Sequence, residues 1–492
     1  MNEGKLMNVS HSTISTKDKS LTNARLSQKW RSIDWHVAEK SVNKLQVRIT
    51  KAVIQNKWHL VKRLEYLLTH SYYAKLLAVR KVTQNKGKRT AGIDGNKWLT
   101  PESKMIAALS LTGNRYKAQP LRRVFIQKRG KKKKRPLGIP TMYDRAMQCL
   151  YSLALEAIAE VISDSRSFGF RKFRSTKDSC QQVFTCLSRK MSAQWILEGD
   201  IKGCFDHINH RWLLDNIPMD KSILTQFLKA GFVYQRHLNP TKAGTPQGGL
   251  ISPILANMAL DGIEKLLLIR YPKRGRKYCK VNFVRYCDDF VVTADSEETA
   301  GEIKDLLKTF LKERGLELSD DKTLITNINE GFDFLGWNFR KTRGKLLIKP
   351  SKESIQKFVE KVSQTIKSGK SWPQELLISK INPIIRGWTN YHRSVVSSEI
   401  FRKLDHILWE ILWKWAKRRH PNKSKRWIAK KYWKQSNTRR WNFQTENNRL
   451  LFLSDTRIQR HIPLKLQMNP FLDNDYFHER QNKLRFMKVV PY

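Results

Sequence analysis

Hydrophobic positions recur with helical spacing in the first part of the chain. Between residues 30 and 77 the apolar side chains fall three or four positions apart, which is typical of amphipathic helices. A loop is predicted over 87–95. Two short β-rich runs, 124–126 and 137–139, flank a segment at 128–135 that is nearly all Lys and Arg. This arrangement predicts a hairpin with a strongly basic tip, followed by a helix over 146–162.

Strands and helices alternate in the middle of the chain. Residues 195–201 form a short apolar run that predicts a strand containing Asp200, and runs at 281–285 and 290–293 flank a tight turn at 286–289. An amphipathic helix is predicted over 302–314 and a strand over 332–340. From residue 350 to 441 the period is helical, and 442–492 has no strong period. The sequence therefore predicts an α+β body followed by a helical region.

Charge separates this chain from most globular proteins. Its 492 residues carry 94 Lys and Arg against 43 Asp and Glu, a formal net charge of +51. With 40% hydrophobic residues the chain can build cores, so a wholly disordered basic tail is excluded. Such an excess calls for a polyanion, and nucleic acid is the obvious one. A membrane surface is the weaker alternative, because the cations run along the whole chain instead of one amphipathic helix.

Cysteine and hydropathy patterns exclude two further classes. The six cysteines form no CxxC pair, so neither a disulfide framework nor a cysteine zinc site is expected. Apolar runs fall short of the roughly 20 residues that a membrane helix needs. Residues 1–28 are rich in Ser, Thr and Asn, and we expect them to be disordered, with only a weak signal for an organellar transit peptide.

Acidic residues lie at the ends of two predicted strands. Asp200 ends the first, and Asp288 and Asp289 occupy the tight turn after the second. Carboxylates held at adjacent strand ends can bind a pair of Mg²⁺ ions, which prefer hard oxygen ligands. A lone Asp-Asp pair would more often be an ordinary solvated turn. Between the two acidic sites lies the glycine-rich segment 244–249, whose glycines let backbone approach a base pair and whose Gln247 offers an amide.

The ordered set of motifs resembles the palm of reverse transcriptases: Asp200, then GTPQGG with SPILAN, then YCDD, then 315–322. Within that class the chain is most similar to group II intron-encoded reverse transcriptase/maturases. RPLGIP at 135–140, SFGFR at 167–171 and FDFLG at 332–336 match that family's fingers and palm, GIDG at 92–95 its N-terminal extension, and GWTNY at 387–391 its maturase domain. Cys287 departs from the family, which usually has Ala there.

The resemblance implies a role for individual residues. Asp200 and Asp288 would be the main Mg²⁺ ligands, assisted by the Ile201 carbonyl, with Asp289 as electrostatic support. Phe205 matches the position that blocks a ribose 2′-hydroxyl, although core packing explains an aromatic there equally well. The expected contacts to the incoming dNTP, its base pair and the leaving pyrophosphate are Lys128, Arg135, Gln247 and Lys322. Lys128 is one cation among seven in its hairpin, so its assignment is the least specific.

Basic residues interleave with aromatic ones in the helical region, a composition that suits an RNA surface. Most of the Trp residues there, Trp409 and Trp413 above all, are expected to be helix core. The cations expected to contact RNA, there and in the fingers hairpin, are Lys131, Lys132, Lys133, Lys134, Arg418, Arg419, Lys425, Arg426, Lys430 and Lys431.

The resemblance also implies a domain order. We expect a disordered segment at 1–28, a helical extension of the fingers at 29–100, fingers and palm of a right-hand polymerase at 101–345, and an all-helical thumb/maturase domain at 346–441. Residues 442–492 would be the remnant of a DNA-binding region without an HNH endonuclease, because no Cys follows residue 287. The implied partners are group II intron RNA and target DNA, with a dimer left open, in a bacterium, mitochondrion or plastid.

Three functions remain open at this point. The first is an RNA-directed DNA polymerase and maturase that assists splicing and reverse splicing and copies the intron for retrohoming. The second is a maturase without polymerase activity, which the intact aspartates disfavour. The third is a related reverse transcriptase of defence or repair, which the maturase region disfavours. An RNA-dependent RNA polymerase is least expected, because Phe205 stands where that class usually has a polar residue.

Overall fold

The computed structural model describes residues 16–127, 134–273, 279–435 and 441–486. The chain divides into two compact units. The first comprises Met1–Ser163, Gly203–Asp261 and Glu313–Leu316, and the second comprises Asp164–Lys202, Gly262–Lys312 and Glu317–Tyr492. Each unit is therefore built from segments that are distant in sequence.

Within the described residues the helices are α1 Thr16–Arg31, α2 Trp35–Ile54, α3 Trp58–His70, α4 Tyr72–Gln84, α5 Pro101–Ser110, α6 Met142–Ile162, α7 Thr176–Leu187, α8 Cys204–His207, α9 His210–Asn216, α10 Lys221–Lys229, α11 Ser252–Leu260, α12 Ile263–Arg270, α13 Glu297–Lys312, α14 Lys352–Ser368, α15 Gln374–His392, α16 Ser398–Arg419, α17 Lys425–Tyr432 and α18 Asn474–Phe486. The strands are β1 Leu121–Gln127, β2 Lys134–Ile139, β3 Trp195–Gly199, β4 Phe232–Tyr234, β5 His237–Asn239, β6 Asn282–Tyr286, β7 Asp289–Ala294, β8 Leu324–Asn327, β9 Phe332–Phe334, β10 Trp337–Thr342, β11 Lys345–Pro350, β12 Trp433–Lys434 and β13 Asn442–Phe443.

In the first unit, helices α2, α3 and α4 pack around α6, which is largely buried, and α5 packs on α4. Its Arg145 is buried and donates to the carbonyl oxygens of Gly87, Thr90 and Pro140, so it holds the glycine-rich loop after α4 against the start of α6. A four-stranded sheet in the order β2-β1-β4-β5 completes the unit. The predicted hairpin of β1 and β2 is confirmed as an antiparallel pair, with Gln127 opposite Lys134.

The second unit contains an antiparallel sheet in the order β6-β7-β3-β8. The predicted strand ending near Asp200 and the predicted hairpin around 286–289 are both confirmed in it. Helices α7 and α13 pack against this sheet and bury the apolar faces of its strands. The mixture of helices with mostly antiparallel strands confirms the α+β class.

The predicted strand over 332–340 is wrong in one respect, because it is two strands. β9 and β10 pair antiparallel, with Phe334 opposite Trp337, and the chain reverses between them. Leu335 and Gly336 both adopt positive φ, at 53° and 81°, as a two-residue hairpin turn requires. A third strand, β11, extends this small sheet.

The helical region has its own core. Helices α14, α15, α16 and α17 bury a continuous apolar cluster around Phe401, Leu408 and Trp415. Trp409 and Trp413 are partly buried against it and stack with ring centroids 5.6 Å apart, as expected for helix core. Beyond α17 the short strands β12 and β13 pair antiparallel, a pairing that the helical period did not predict.

The prediction that residues 1–28 are disordered is wrong for its second half. Helix α1 begins at Thr16 and packs on α5, and Ser27 Oγ donates to Glu102 Oε2 at 3.1 Å. Because the helix is polar, its sequence has no strong hydrophobic period that would predict it. Its stability comes from the tertiary contact with α5. Across the described parts of the chain, no helix combines the length and the hydropathy that crossing a membrane demands.

Candidate active site

Strand register brings the predicted carboxylates together at one edge of the second unit. β3 pairs antiparallel with β7, and the pair nearest the edge joins Gly199 to Phe290. One step further along each strand are Asp200 and Asp289. Asp288 precedes Asp289 in the turn, which Tyr286 and Asp289 close as the last pair of β6 and β7. The residues predicted from two distant motifs therefore meet at the same strand ends.

Lys322 completes this cluster. Its Nζ lies 2.6 Å from Asp200 Oδ2, across 122 positions of sequence. The segment that carries it is fixed by backbone bonds, since Ser319 N donates to the Asp200 carbonyl at 2.8 Å and Lys322 N donates to the Ser319 carbonyl at 3.0 Å. The neighbouring Ile201 is buried and bridges to Leu318. Asp200 and Lys322 are therefore positioned by rigid backbone on both sides.

The pKa values of Asp289 and Lys322 are shifted by the charges around them, as expected for a cluster of this kind. Desolvation by the surrounding protein, together with the negative charges of Asp288 and Asp200, raises the pKa of Asp289 to about 6, and the charge of Lys322 opposes this rise. The side chain nonetheless keeps an exposed surface at the strand edge. For Lys322, the hydrogen bond to Asp200 raises the pKa, and the charges of all three aspartates contribute. Three acids and one base thus act on one another at this edge.

Two glycines allow the strands to approach so closely. A Cβ at Gly199 would lie 2.1 Å from the ring of Phe290, and one at Gly169 would lie 2.3 Å from the backbone nitrogen of Cys287. Gly169 belongs to the SFGFR motif, whose role the sequence did not specify. Cys287 itself adopts φ +59°, and burial raises the pKa of its thiol to about 12. A neutral thiol is a poor metal ligand, which agrees with the sequence-based view of this position.

A preformed metal cage is not among the described features. No group of three or more His, Cys, Asp and Glu side chains arranged to hold a metal occurs within residues 16–127, 134–273, 279–435 and 441–486. The donor set of Asp200, Asp288 and Asp289 nevertheless fits Mg²⁺, because it consists of hard carboxylate oxygens. In this structure the ammonium of Lys322 is the positive charge beside Asp200. A cation bound by Asp200 would take its place, and the salt bridge would open.

Of the residues predicted to contact the nucleotide, Lys322 belongs to the second unit, and the others belong to the first. Gln247 Nε2 donates to both carboxylate oxygens of Asp206, at 3.0 and 3.1 Å, a partner that the sequence did not suggest. Its loop packs against the half-buried Phe205, whose carbonyl accepts from Thr245 N at 2.7 Å. Gly248 has φ +117°, and a Cβ there would lie 2.5 Å from the Gly138 carbonyl oxygen. This loop therefore has a fixed backbone with its Gln side chain at the surface.

The basic fingers hairpin is described only in part. Lys134 and Arg135 are exposed at the start of β2. Lys128, Lys131, Lys132 and Lys133 lie outside the described residues. The predicted contacts of all six with the triphosphate or with RNA stay predictions.

The predicted RNA-binding cations of the helical region fall into two groups. Exposed side chains form the first group, namely Arg418, Lys425, Arg426, Lys430 and Lys431. Of these, Lys431 lies 4.8 Å from the centroid of the exposed Trp427 ring. Arg419 differs, because its Nη1 donates to the Lys370 and Trp372 carbonyls at 2.9 and 3.0 Å. Arg419 thus has a structural role that the sequence did not predict, and the RNA assignment concerns mainly the exposed group.

One buried network escaped prediction altogether. Asp178 at the start of α7 accepts from His461 Nε2 at 2.9 Å and forms an ion pair with Arg480 of α18. These residues are 283 and 302 positions apart from Asp178. The sequence analysis treated residues 442–492 only as the remnant of a DNA-binding region, and no motif in it linked His461 or Arg480 to Asp178.

Comparison with known proteins identifies the class. The family model described as reverse transcriptase (RNA-dependent DNA polymerase) matches residues 126–339. The N-terminal domain of reverse transcriptase matches residues 30–111, and the group II intron maturase-specific domain matches residues 355–433. These matches cover the segments that supply the carboxylate cluster, the fingers and the helical region.

Individual relatives agree with the models. The chain is 32% identical to group II intron-encoded protein LtrA of Lactococcus lactis subsp. cremoris, over 60% of this chain and 59% of that protein. It is 31% identical to protein YkfC of Escherichia coli K12, over 54% of this chain and 80% of that protein. It is 27% identical to maturase-like protein 1 of Euglena gracilis, over 73% of this chain and 76% of that protein. The chain belongs to the group II intron-encoded reverse transcriptase and maturase family, and it matches about three fifths of the length of LtrA.

Proposed function

We propose that the chain is an RNA-directed DNA polymerase that also binds group II intron RNA and assists its splicing. The observation that carries this proposal is the meeting of Asp200, Asp288 and Asp289 at one strand edge, with Lys322 salt-bridged to the first of them. A structural cluster of like charges would be costly to keep, since acids at this spacing repel one another. Such clusters are typical of sites that bind cations and transfer phosphoryl groups.

Asp200 and Asp288 would hold two Mg²⁺ ions, with the Ile201 carbonyl and Asp289 assisting. Bound there, the metal supplies charge stabilisation for nucleotidyl transfer from a dNTP to the primer 3′-hydroxyl. Lys322 is salt-bridged to Asp200, so its ammonium would lie beside the departing pyrophosphate and neutralise or protonate it. The raised pKa of Asp289, about 6, means that a cation would have to compete with a proton for this carboxyl below that pH.

The nucleotide-side roles are part of the same proposal. Phe205 would exclude a ribose 2′-hydroxyl, and the fixed loop of Gln247 would face the nascent base pair. Arg135 and Lys128 would contact the triphosphate, where a planar guanidinium suits phosphate oxygens. The half-buried state of Phe205 supports this role, because a ring wholly in the core could not meet a sugar.

The maturase role rests on the exposed cations of α16 and α17 and on the exposed Trp427 between them. Cations of this kind contact phosphates, and an exposed ring stacks on bases. We propose intron RNA as the partner, with target DNA engaged during reverse splicing and the copied intron used for retrohoming. A maturase without polymerase activity is the second candidate, and the retained carboxylates argue against it.

Primer extension tests the proposal. Asp288→Ala should abolish extension of a DNA primer on an RNA template with Mg²⁺ and dNTPs, while intron RNA binding stays near the wild-type level. Asp305→Asn is the matched control, because Asp305 is an exposed acid of α13 paired with Lys308. Extension that persists in Asp288→Ala would refute the site, and loss of both activities would point to misfolding instead.

A further inference from the structure

A cavity of about 470 Å³ in the second unit has Lys or Arg at six of its sixteen described lining residues. It opens at the N-terminus of α7, and its walls come from four separate segments: the loop before α7, the end of α15, residues 459–461, and α18. The cations that face it besides Arg480 are Arg174, Lys177, Arg393, Arg460 and Arg485. A volume of this size accommodates a nucleotide-sized group.

The cavity has one acid among its described lining residues, and that acid is already neutralised. Burial alone would raise the pKa of Asp178, but the hydrogen bond from His461 and the charge of Arg480 outweigh it and lower the pKa. Asp178 also accepts from Ser175 Oγ at 2.7 Å. The negative charge of Asp178 is therefore paired with His461 and Arg480, and it does not neutralise the other cations of the cavity.

The surrounding structure holds the cations in place. Lys177 Nζ donates to the Asn390 carbonyl at 2.6 Å, which anchors this ammonium beside the cavity. The Arg393 backbone is fixed at both ends, since its N–H donates to Thr389 and its carbonyl accepts from Gln459 N, each at 2.8 Å. Burial, together with the charge of Lys177, lowers the pKa of His392 to about 3. Positive charge is thus concentrated here on a rigid frame.

The cavity lies close to the carboxylate cluster along the chain. Gly169 is in contact with Cys287 of the YCDD turn, and Arg174 follows five residues later. A fully extended chain of that length spans at most about 17 Å. Since phosphates of a duplex strand are about 3.4 Å apart along the axis, the cavity is within roughly five nucleotides of the polymerase centre.

We propose that this cavity binds backbone phosphates of the template–primer duplex, a few nucleotides from the primer 3′ end. The proposal rests on the proposed polymerase function and names a contact of that function which no motif assigned. The neutral polar side chains of the lining, among them Asn390 and Gln481, suit a hydrated phosphodiester. No base-specific group is implied, so binding should be independent of sequence.

Arg460→Gln/Arg485→Gln is the variant that tests the cavity. Both residues are exposed, and neither forms a salt bridge within the described residues, so the fold should persist. Affinity for an RNA–DNA duplex of about 20 base pairs is measured across a salt series. The assay contains neither Mg²⁺ nor dNTP, so it reads binding whether or not the chain polymerises. The plot of log affinity against log salt should become shallower by about two, and affinity at low salt should fall at least about tenfold.

Two matched variants sharpen the test. Arg460→Lys/Arg485→Lys keeps the charge and should keep the slope. Lys357→Gln/Lys483→Gln removes two cations that are paired with Glu353 and Glu479 outside the cavity, and it should bind like wild type. An unchanged slope in the Gln variant would overturn the proposal. So would calorimetry in which the Gln variant loses binding of inorganic phosphate alone while duplex affinity stays unchanged, because the cavity would then be a free-anion site.

Discussion

Asp289→Asn should stabilise the metal-free protein, although it damages the proposed active site. The carboxyl of Asp289 has its pKa raised from 3.8 to about 6, so the folded state disfavours its charge. A shift of about two units corresponds to about 3 kcal/mol. Because the side chain keeps contact with solvent, screening reduces this to about 1 kcal/mol. For units of this size such a gain raises Tm by roughly 2–4 °C.

The sign of the pH dependence follows from the same shift. Between pH 3.8 and about 6 the folded state binds more protons at Asp289 than the unfolded state does. Wild-type stability from this group is therefore fully present below pH 3.8 and is lost as pH rises through 6. The advantage of Asp289→Asn should therefore be small near pH 4, grow as the pH rises, and be complete above about pH 6.

Thermal unfolding in EDTA at pH 8 and at pH 4 measures this difference, with Asp305→Asn as the exposed-acid control. Adding Mg²⁺ at pH 8 should raise the Tm of wild type and have much less effect on Asp289→Asn. A variant that is no more stable than wild type at pH 8, or that gains equally at pH 4, would refute the account of the charge cluster.

Three further variants test the remaining roles. Phe205→Ala should admit ribonucleotides, measured as the ratio of rNTP to dNTP incorporation. Arg418→Gln/Arg426→Gln should weaken intron RNA binding and flatten its salt dependence by about two. Gly169→Ala should displace the YCDD turn, because its Cβ would lie 2.3 Å from the Cys287 backbone, and should lower the extension rate by at least tenfold, a loss of about 1.4 kcal/mol.

Each of these has an internal control. Phe205→Tyr should keep discrimination, and unchanged discrimination in Phe205→Ala would reduce that residue to core packing. Lys308→Gln removes an exposed cation of α13 and should leave RNA binding unaltered, whereas equal salt slopes in the Arg variant would make its cations a solvated face. Cys287→Ala should extend primers at the wild-type rate, and a wild-type rate in Gly169→Ala would show that the turn tolerates the methyl group.

Local sequence patterns predicted the strands and the turn that carry the carboxylates, because alternation and turn chemistry act over a few residues. Local patterns could not predict that these carboxylates lie close together, because the pairing of distant strands is a tertiary property. Only the order of the whole motif set, through the family resemblance, indicated it. Lys322 illustrates this, because only the family resemblance linked it to Asp200, 122 positions away. The network of Asp178, His461 and Arg480 had no such link and was missed.

Two predictions failed for physical reasons. The predicted strand over 332–340 is a hairpin, because the chain reverses at Leu335. This residue adopts a positive φ, which is rare for leucine and could not be predicted from the residue type. The N-terminal segment was predicted to be disordered from its polar composition, yet α1 is stabilised by packing on α5. Arg419 also shows the limit of composition, since a cation in a basic cluster proved to cap backbone carbonyls.

A double-mutant cycle on the two main carboxylates is the most direct test of a single metal-dependent centre. Single-turnover primer extension is measured for Asp200→Asn, Asp288→Asn and the double variant, beside Asp305→Asn. Residues that act as one unit are strongly non-additive, so each single variant should lose about a thousandfold or more and the double variant should be little worse. Near-wild-type extension by either single variant, or losses that simply multiply, would contradict the account.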